Sequence, residues 1–253
     1  MKIKLRLNRG IQALIAGSVI FALIGFVENK SYDKVCNKVV IQIDNQFKNY
    51  FITDSDVLDL ITLNGTSPLI GKPFSEINLK EIENAIGANP YVLNAEAYKA
   101  ITGNLVIFIN QQRPIARIIR DDGPDAYITS KGTVVPVSPY YTARVMVLRG
   151  SYADDLIKNH LDNPENRKLL QLLQFIYQDE FWNSQIAEIE VDEQQQVTFY
   201  PQVTRQKIEF GPPEEIDSKF RKLEIFYQEI LPHKGWNHYA SVNLKFRDQI
   251  ICE

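Results

Sequence analysis

The chain has 253 residues, with 28 lysines and arginines against 31 aspartates and glutamates, 45% hydrophobic residues and two cysteines. That length and apolar content exclude a disordered or low-complexity polymer. Two cysteines, Cys36 and Cys252, are too few for a disulfide-stapled miniprotein or a cysteine-rich zinc fold, and a net charge of −3 offers no basic excess for nucleic acid.

The charge is unevenly placed. Residues 1–10 hold Lys2, Lys4, Arg6 and Arg9 without an acid, residues 11–27 hold no charge, and the acidic excess falls in the remainder. As a helix, 11–27 would span about 25 Å, the short end of a bilayer core, with Arg9 and Lys30 placed to snorkel to the headgroups. A cleaved signal peptide shares the basic start, but the apolar run is longer than a usual signal core and no A-x-A site follows it. The expectation is therefore a cytoplasmic tail at 1–10, a transmembrane helix at 11–27 and a linker at 28–38. The positive-inside asymmetry puts the acidic body across the membrane.

Val39 to Ile43 is rich in β-branched residues and predicts a strand. Thr53 with Asp56 forms a capping pattern ahead of Val57, Leu58, Leu60 and Ile61, and Asn78 with Glu81 does the same ahead of Leu79, Ile82, Ala85 and Ile86, so two helices are expected. Strands follow at Tyr91 to Lys99 and Leu105 to Asn110, joined by the turn-like Ile101-Thr102-Gly103-Asn104. Residues 39–112 thus form one β-α-α-β-β module.

From Pro114 the pattern shifts to short strands and turns: Ile115 to Ile119, Tyr127-Ile128, and Thr133 to Val137. A helix is expected from Asn163 to Gln178, with Leu169, Leu170, Leu173 and Ile176 on one face. Strands are predicted at Ile186 to Val191, Val197 to Tyr200 and Lys207 to Phe210. Gly211-Pro212-Pro213 then breaks the chain before an amphipathic helix, Glu214 to Leu231. Ser241 to Cys252, with Val242, Leu244 and Phe246 alternating with polar neighbours, predicts one last strand in a β domain at 113–253.

No feature supplies catalytic chemistry or a cofactor site. His233 and His238 are five apart, which does not put two ligands on one helical face, and no H-E-x-x-H, Walker, G-x-S-x-G or G-x-G-x-x-G motif occurs. Neither a metal nor a cofactor is expected. Asp121 to Asp125 is a turn, and Asp154-Asp155 and Glu214-Glu215 suit the first turns of helices. An oxidising compartment would permit a Cys36–Cys252 bridge, with free thiols as the alternative.

The basic start, the apolar run, Phe74-Ser75-Glu76-Ile77 before the second helix, Gln112-Arg113-Pro114-Ile115-Ala116 at the module's exit, and Tyr127-Ile128 followed by Gly132 resemble the FtsQ/DivIB family of bacterial division proteins. Phe210-Gly211, the helix with Lys219-Phe220-Arg221-Lys222-Leu223 and the final Val242 to Ile251 are similar to that family's end, and Met146 to Gly150 to its mid-chain strand. The resemblance, to a divergent member, implies an α+β protein: a single transmembrane helix, then a POTRA (β-α-α-β-β) domain, then a helix-capped antiparallel β domain. It implies an inner-membrane protein at the division septum, not an enzyme. Its last strand would bind FtsB-like and FtsL-like division proteins, with other septal membrane proteins as further partners. The partner-binding residues expected are Val242, Leu244, Lys245, Phe246, Arg247, Asp248 and Ile250. An unpaired sheet edge suits that task because it can accept one more strand. A POTRA-containing export or outer-membrane assembly factor is the alternative, and an unrecognised periplasmic enzyme a third.

Overall fold

The computed structural model describes residues 14–21, 34–45, 50–159, 161 and 163–253. Of the uncharged run, residues 14–21 are helical; the rest of the transmembrane helix expected at 11–27, the tail 1–10 and residues 28–33 of the linker lie outside the described residues. No helix among the described residues is long and apolar enough to cross a membrane. By its internal contacts the chain divides into two units, one of Met1–Asn45 with Ile52–Gln111 and one of Gln46–Phe51 with Gln112–Glu253.

The first unit has the order β1 (Lys38–Asp44), α1 (Asp54–Thr62), α2 (Leu79–Gly87), β2 (Val92–Lys99) and β3 (Asn104–Gln111). Its sheet runs β1-β3-β2, with β1 parallel and β2 antiparallel to the central β3. Leu105, Ile107 and Ile109 of β3 face one way under a period of two, and are fully buried with Val57, Ile61, Ile82 and Ile86 from the helices. The caps form as the sequence predicts: Thr53 and Asp56 make a reciprocal capping box, and the Asn78 side chain accepts from the Lys80 and Glu81 amides. Residues 34–37, expected in the linker, are instead packed into this unit. Cys36 is buried in its core, and its backbone exchanges bonds with Lys72 and Gly71.

The second unit is built on a nine-stranded sheet in the order β12-β11-β10-β9-β8-β7-β4-β5-β6. The strands are β4 (Pro114–Ile118), β5 (Ala126–Thr129), β6 (Val134–Pro136), β7 (Met146–Arg149), β8 (Ile186–Val191), β9 (Val197–Pro201), β10 (Lys207–Gly211), β11 (Ser241–Asn243) and β12 (Ile251–Cys252). The helices are α3 (Ala153–Asn159), α4 (Arg167–Gln178), α5 (Glu180–Gln185), α6 (Ile216–Ile225) with a π-helical turn Phe226–Ile230, and α7 (Leu231–Lys234). The expected antiparallel domain is thereby corrected to a mixed one, because β4/β7, β7/β8 and β10/β11 pair in parallel. Parallel neighbours need crossovers, and α3 to α5 supply one while α6 to α7 supply another. The helix expected from Asn163 starts at Arg167; Asn163 accepts the Glu165 amide in a turn, and Asn166 is engaged by the Tyr152 hydroxyl at 2.9 Å.

One face of this sheet is apolar and joins the helices in a single core. Opposite it lie Arg149, stacked 5.4 Å from the Tyr200 ring and paired with Glu188, and the Tyr200 hydroxyl, which donates to Glu190 at 2.6 Å. Gly132, in the turn between β5 and β6, has φ +85°, a conformation other residues adopt only with strain. Tyr127 is buried on β5 and its hydroxyl accepts the Ala143 amide at 3.1 Å. Tyr127→Phe leaves that buried N–H without its acceptor, so thermal or denaturant unfolding is expected to report a loss of about 1–3 kcal/mol.

Candidate partner-docking edge

The segment expected to be one strand from Ser241 to Cys252 is three pieces: β11, a loop at 244–250, and β12 folded back on β11. Side chains capture the backbone that a continuous strand would need. Lys222 of α6 donates to the carbonyls of Leu244 (2.8 Å) and Phe246 (2.5 Å), and the Asn243 side chain takes the Lys245 amide at 3.0 Å.

β11 lies parallel to β10, with Lys207, Ile208 and Glu209 opposite Ser241, Val242 and Asn243. The Glu209 carboxylate gathers the neighbourhood, accepting from Lys207 (3.1 Å), Lys245 (3.2 Å) and the Asn243 amide (3.1 Å). Those bonds, Lys207's first and Lys245's next, hold its carboxyl below the ordinary 4.5. Gly211 is required beside them. Its φ is +78°, and a Cβ there would sit 2.8 Å from the Lys245 Cγ.

β12 is the edge of the sheet. Ser241 and Glu253 exchange both backbone bonds (2.9 and 3.0 Å), which makes Val242 and Cys252 the non-bonded pair of the antiparallel ladder. The N–H and C=O of Cys252 therefore point away from β11 to the open side. Ile251 and Glu253 point inward. A two-residue edge limits indiscriminate pairing yet leaves one donor and one acceptor for a matching backbone.

The residues expected to bind a partner are brought to this corner, but not to one surface. Val242 and Leu244 are fully buried in the core, and Ile250 is half-buried against it. Phe246 is 48% exposed, and Lys245, Arg247 and Asp248 are exposed beside it. Sequence reasoning missed Lys222, Glu209 and the Cys252 backbone. Asp248, where the apolar alternation fails, was the available signal that the strand stops. Among the described residues no group of three or more His, Cys, Asp or Glu side chains could hold a metal, and both cysteines are free thiols, Cys36 buried and Cys252 half-buried.

A three-stranded β-α-α-β-β module and a nine-stranded mixed sheet with its helices define the class, a POTRA-bearing two-module protein. Residues 34–110 match the model of the POTRA-like domain, and residues 113–253 match that of the FtsQ/DivIB, C-terminal related family. The second match spans more than half of the chain, and the protein belongs to the FtsQ/DivIB family. That family is one of non-enzymatic division scaffolds, and membership points this chain to a role in cell division. No curated protein matches the chain.

Two outcomes test the corner's construction. Lys222→Met removes a charged donor from two carbonyls, so amide exchange across residues 244–247 is expected to accelerate about tenfold or more by NMR, with α6 intact. Because the folded pKa of Glu209 is depressed, its contribution is complete above about pH 4.5 and is lost as pH falls through the lower folded value. Unfolding midpoints measured from pH 6 to pH 3 should therefore fall less steeply in Glu209→Gln than in the parent, which starts higher.

Proposed function

We propose that this protein is a bitopic division scaffold: residues 11–27 cross the inner membrane, residues 1–10 face the cytoplasm, and the body lies in the periplasm at the septum. There the corner formed by β11, β12 and the 244–250 loop binds FtsB-like and FtsL-like proteins. The observation that carries this reading is the outward-facing backbone of Cys252 on a strand joined to β11 by a loop that exposes Phe246, Arg247 and Asp248, in the domain that matches the family. A partner strand pairing at Cys252 would extend the sheet, with Phe246 and the charged residues of the adjoining loop adding side-chain contacts. Val242, Leu244 and Ile250 would act from below, by seating the strand and loop.

The membrane part rests on the uncharged run and on its described portion. Residues 14–21 are helical, expose Leu14, Ile15, Val19, Ile20 and Phe21, and satisfy their one hydroxyl internally, Ser18 donating to the Leu14 carbonyl at 2.9 Å. Such a surface suits lipid, where every polar group must be paired within the segment. The family match over 113–253 favours this reading over an export factor.

The edge now has a phase, so proline discriminates. Cys252→Pro deletes the outward donor and is expected to weaken capture of an FtsB-type partner by the full chain in detergent while sparing the fold. Ile251→Pro deletes a donor facing β11 and should destabilise the domain. Phe246→Ala should cost about 1–3 kcal/mol of partner binding. Undiminished capture by both Cys252→Pro and Phe246→Ala would move the docking surface elsewhere.

A further inference from the structure

A second feature lies on the helical layer, built from α5, the π-helical turn and the residues after α7. Phe181, Trp182, Tyr227 and Trp236, with Asp179 and Glu224, line an open groove of about 380 Å³. The rings stand steeply to one another: Phe181 and Tyr227 at 89°, Trp182 and Tyr227 at 82°, Tyr227 and Trp236 at 65°, with centroids 5.7 to 6.3 Å apart. Pairs this steep set the edge of one ring against the face of another, and all four rings line the groove. Trp182 and Tyr227 are buried, whereas Phe181 and Trp236 are 48% and 49% exposed, two large aromatics left open beside one cavity.

The charge is one-sided. Asp179 accepts the Trp182 amide at 3.0 Å and Glu224 accepts the Gln228 side-chain amide at 2.9 Å, both from neutral donors. No lysine, arginine or histidine is among the residues lining the groove. Carboxylates and aromatic rings without a cation are complementary to a cation. The π-helical turn Phe226–Ile230 carries Tyr227 and Gln228 to this wall, and such turns recur at functional sites.

We propose that the groove receives an arginine side chain from a protein partner, its guanidinium stacked on the rings and its charge answered by Asp179 and Glu224. Arginine fits better than lysine because its planar, weakly hydrated head stacks on aromatic faces. This site is separate from the β12 edge and would make a second point of attachment in the same domain.

Trp182 and Trp236 are the only tryptophans in the chain, so intrinsic tryptophan emission reports on the groove alone. The full chain in non-ionic detergent is titrated with the peptide acetyl-Gly-Leu-Arg-Leu-Gly-amide and with its norleucine counterpart. The expected result is a saturable emission change, with affinity about tenfold or more higher for the arginine peptide. Glu224→Gln, which keeps the shape, should weaken the arginine peptide about threefold or more and leave the norleucine peptide unchanged. Trp236→Ala, at an exposed position, should abolish the response of Trp182 while circular dichroism stays the same. Equal affinity for the two peptides, no saturable response to arginine, or a response untouched by Trp236→Ala would overturn the proposal.

Discussion

Phe220 is the contact on which the second unit hangs. It projects from α6 into the core, with ring centroids 4.6 Å from Phe175 of α4, 5.1 Å from Trp182 of α5, 5.6 Å from Phe210 of β10 and 6.0 Å from Phe199 of β9. One side chain therefore ties three helices to two strands, and truncating a buried phenylalanine of this kind typically removes about 3–5 kcal/mol. α6 is seated by that contact, and α6 with its extension carries side chains that hold the 244–246 backbone and one wall of the aromatic groove. Lys219 reaches the Pro212 carbonyl at 2.7 Å over the Phe210 ring, and burial pushes its ammonium below the usual lysine range. Lys222 holds the 244–246 backbone. Glu224 and Tyr227 form one wall of the aromatic groove.

The candidate docking edge follows from the same geometry. A strand needs its backbone groups for its neighbours, and between residues 244 and 246 the Lys222 and Asn243 side chains have taken three of those groups away. What remains is a two-residue strand whose outward donor and acceptor belong to Cys252, joined to a loop that exposes Phe246, Lys245, Arg247 and Asp248. Such an edge is short enough to avoid promiscuous pairing and still gives a partner a backbone to read. The buried Val242 and Leu244 fix its height above the core, and Glu209 fixes the lysine stem that crosses Gly211.

The first module was almost wholly legible in the sequence, because its signals are local. Thr53 with Asp56 and Asn78 with Glu81 mark their helices three residues apart, and Leu105, Ile107 and Ile109 alternate as a half-buried strand does. In the second unit the strands from Ile186 onward were equally plain. The parallel pairings were not, since β7 finds β4 and β8 only through crossovers that no local pattern encodes. Ser241 to Cys252 misled for a related reason. Its alternation is real through Leu244, but the competitor for its backbone is Lys222, more than twenty residues earlier on a helix face, and only the tertiary fold brings the two together. Asn163 likewise suggested a helix start that the structure places at Arg167.

The proposed docking mode is pairing of a partner's backbone with this chain at Cys252. It is tested most directly by residue-resolved amide hydrogen exchange of the full-length protein in detergent, with and without an FtsB-type partner. The Cys252 amide, open in the free protein, is expected to become protected on binding, while the Ile251 and Glu253 amides, already facing β11, change little. Protection that appears elsewhere and leaves Cys252 exchanging as fast as in the free protein would contradict it.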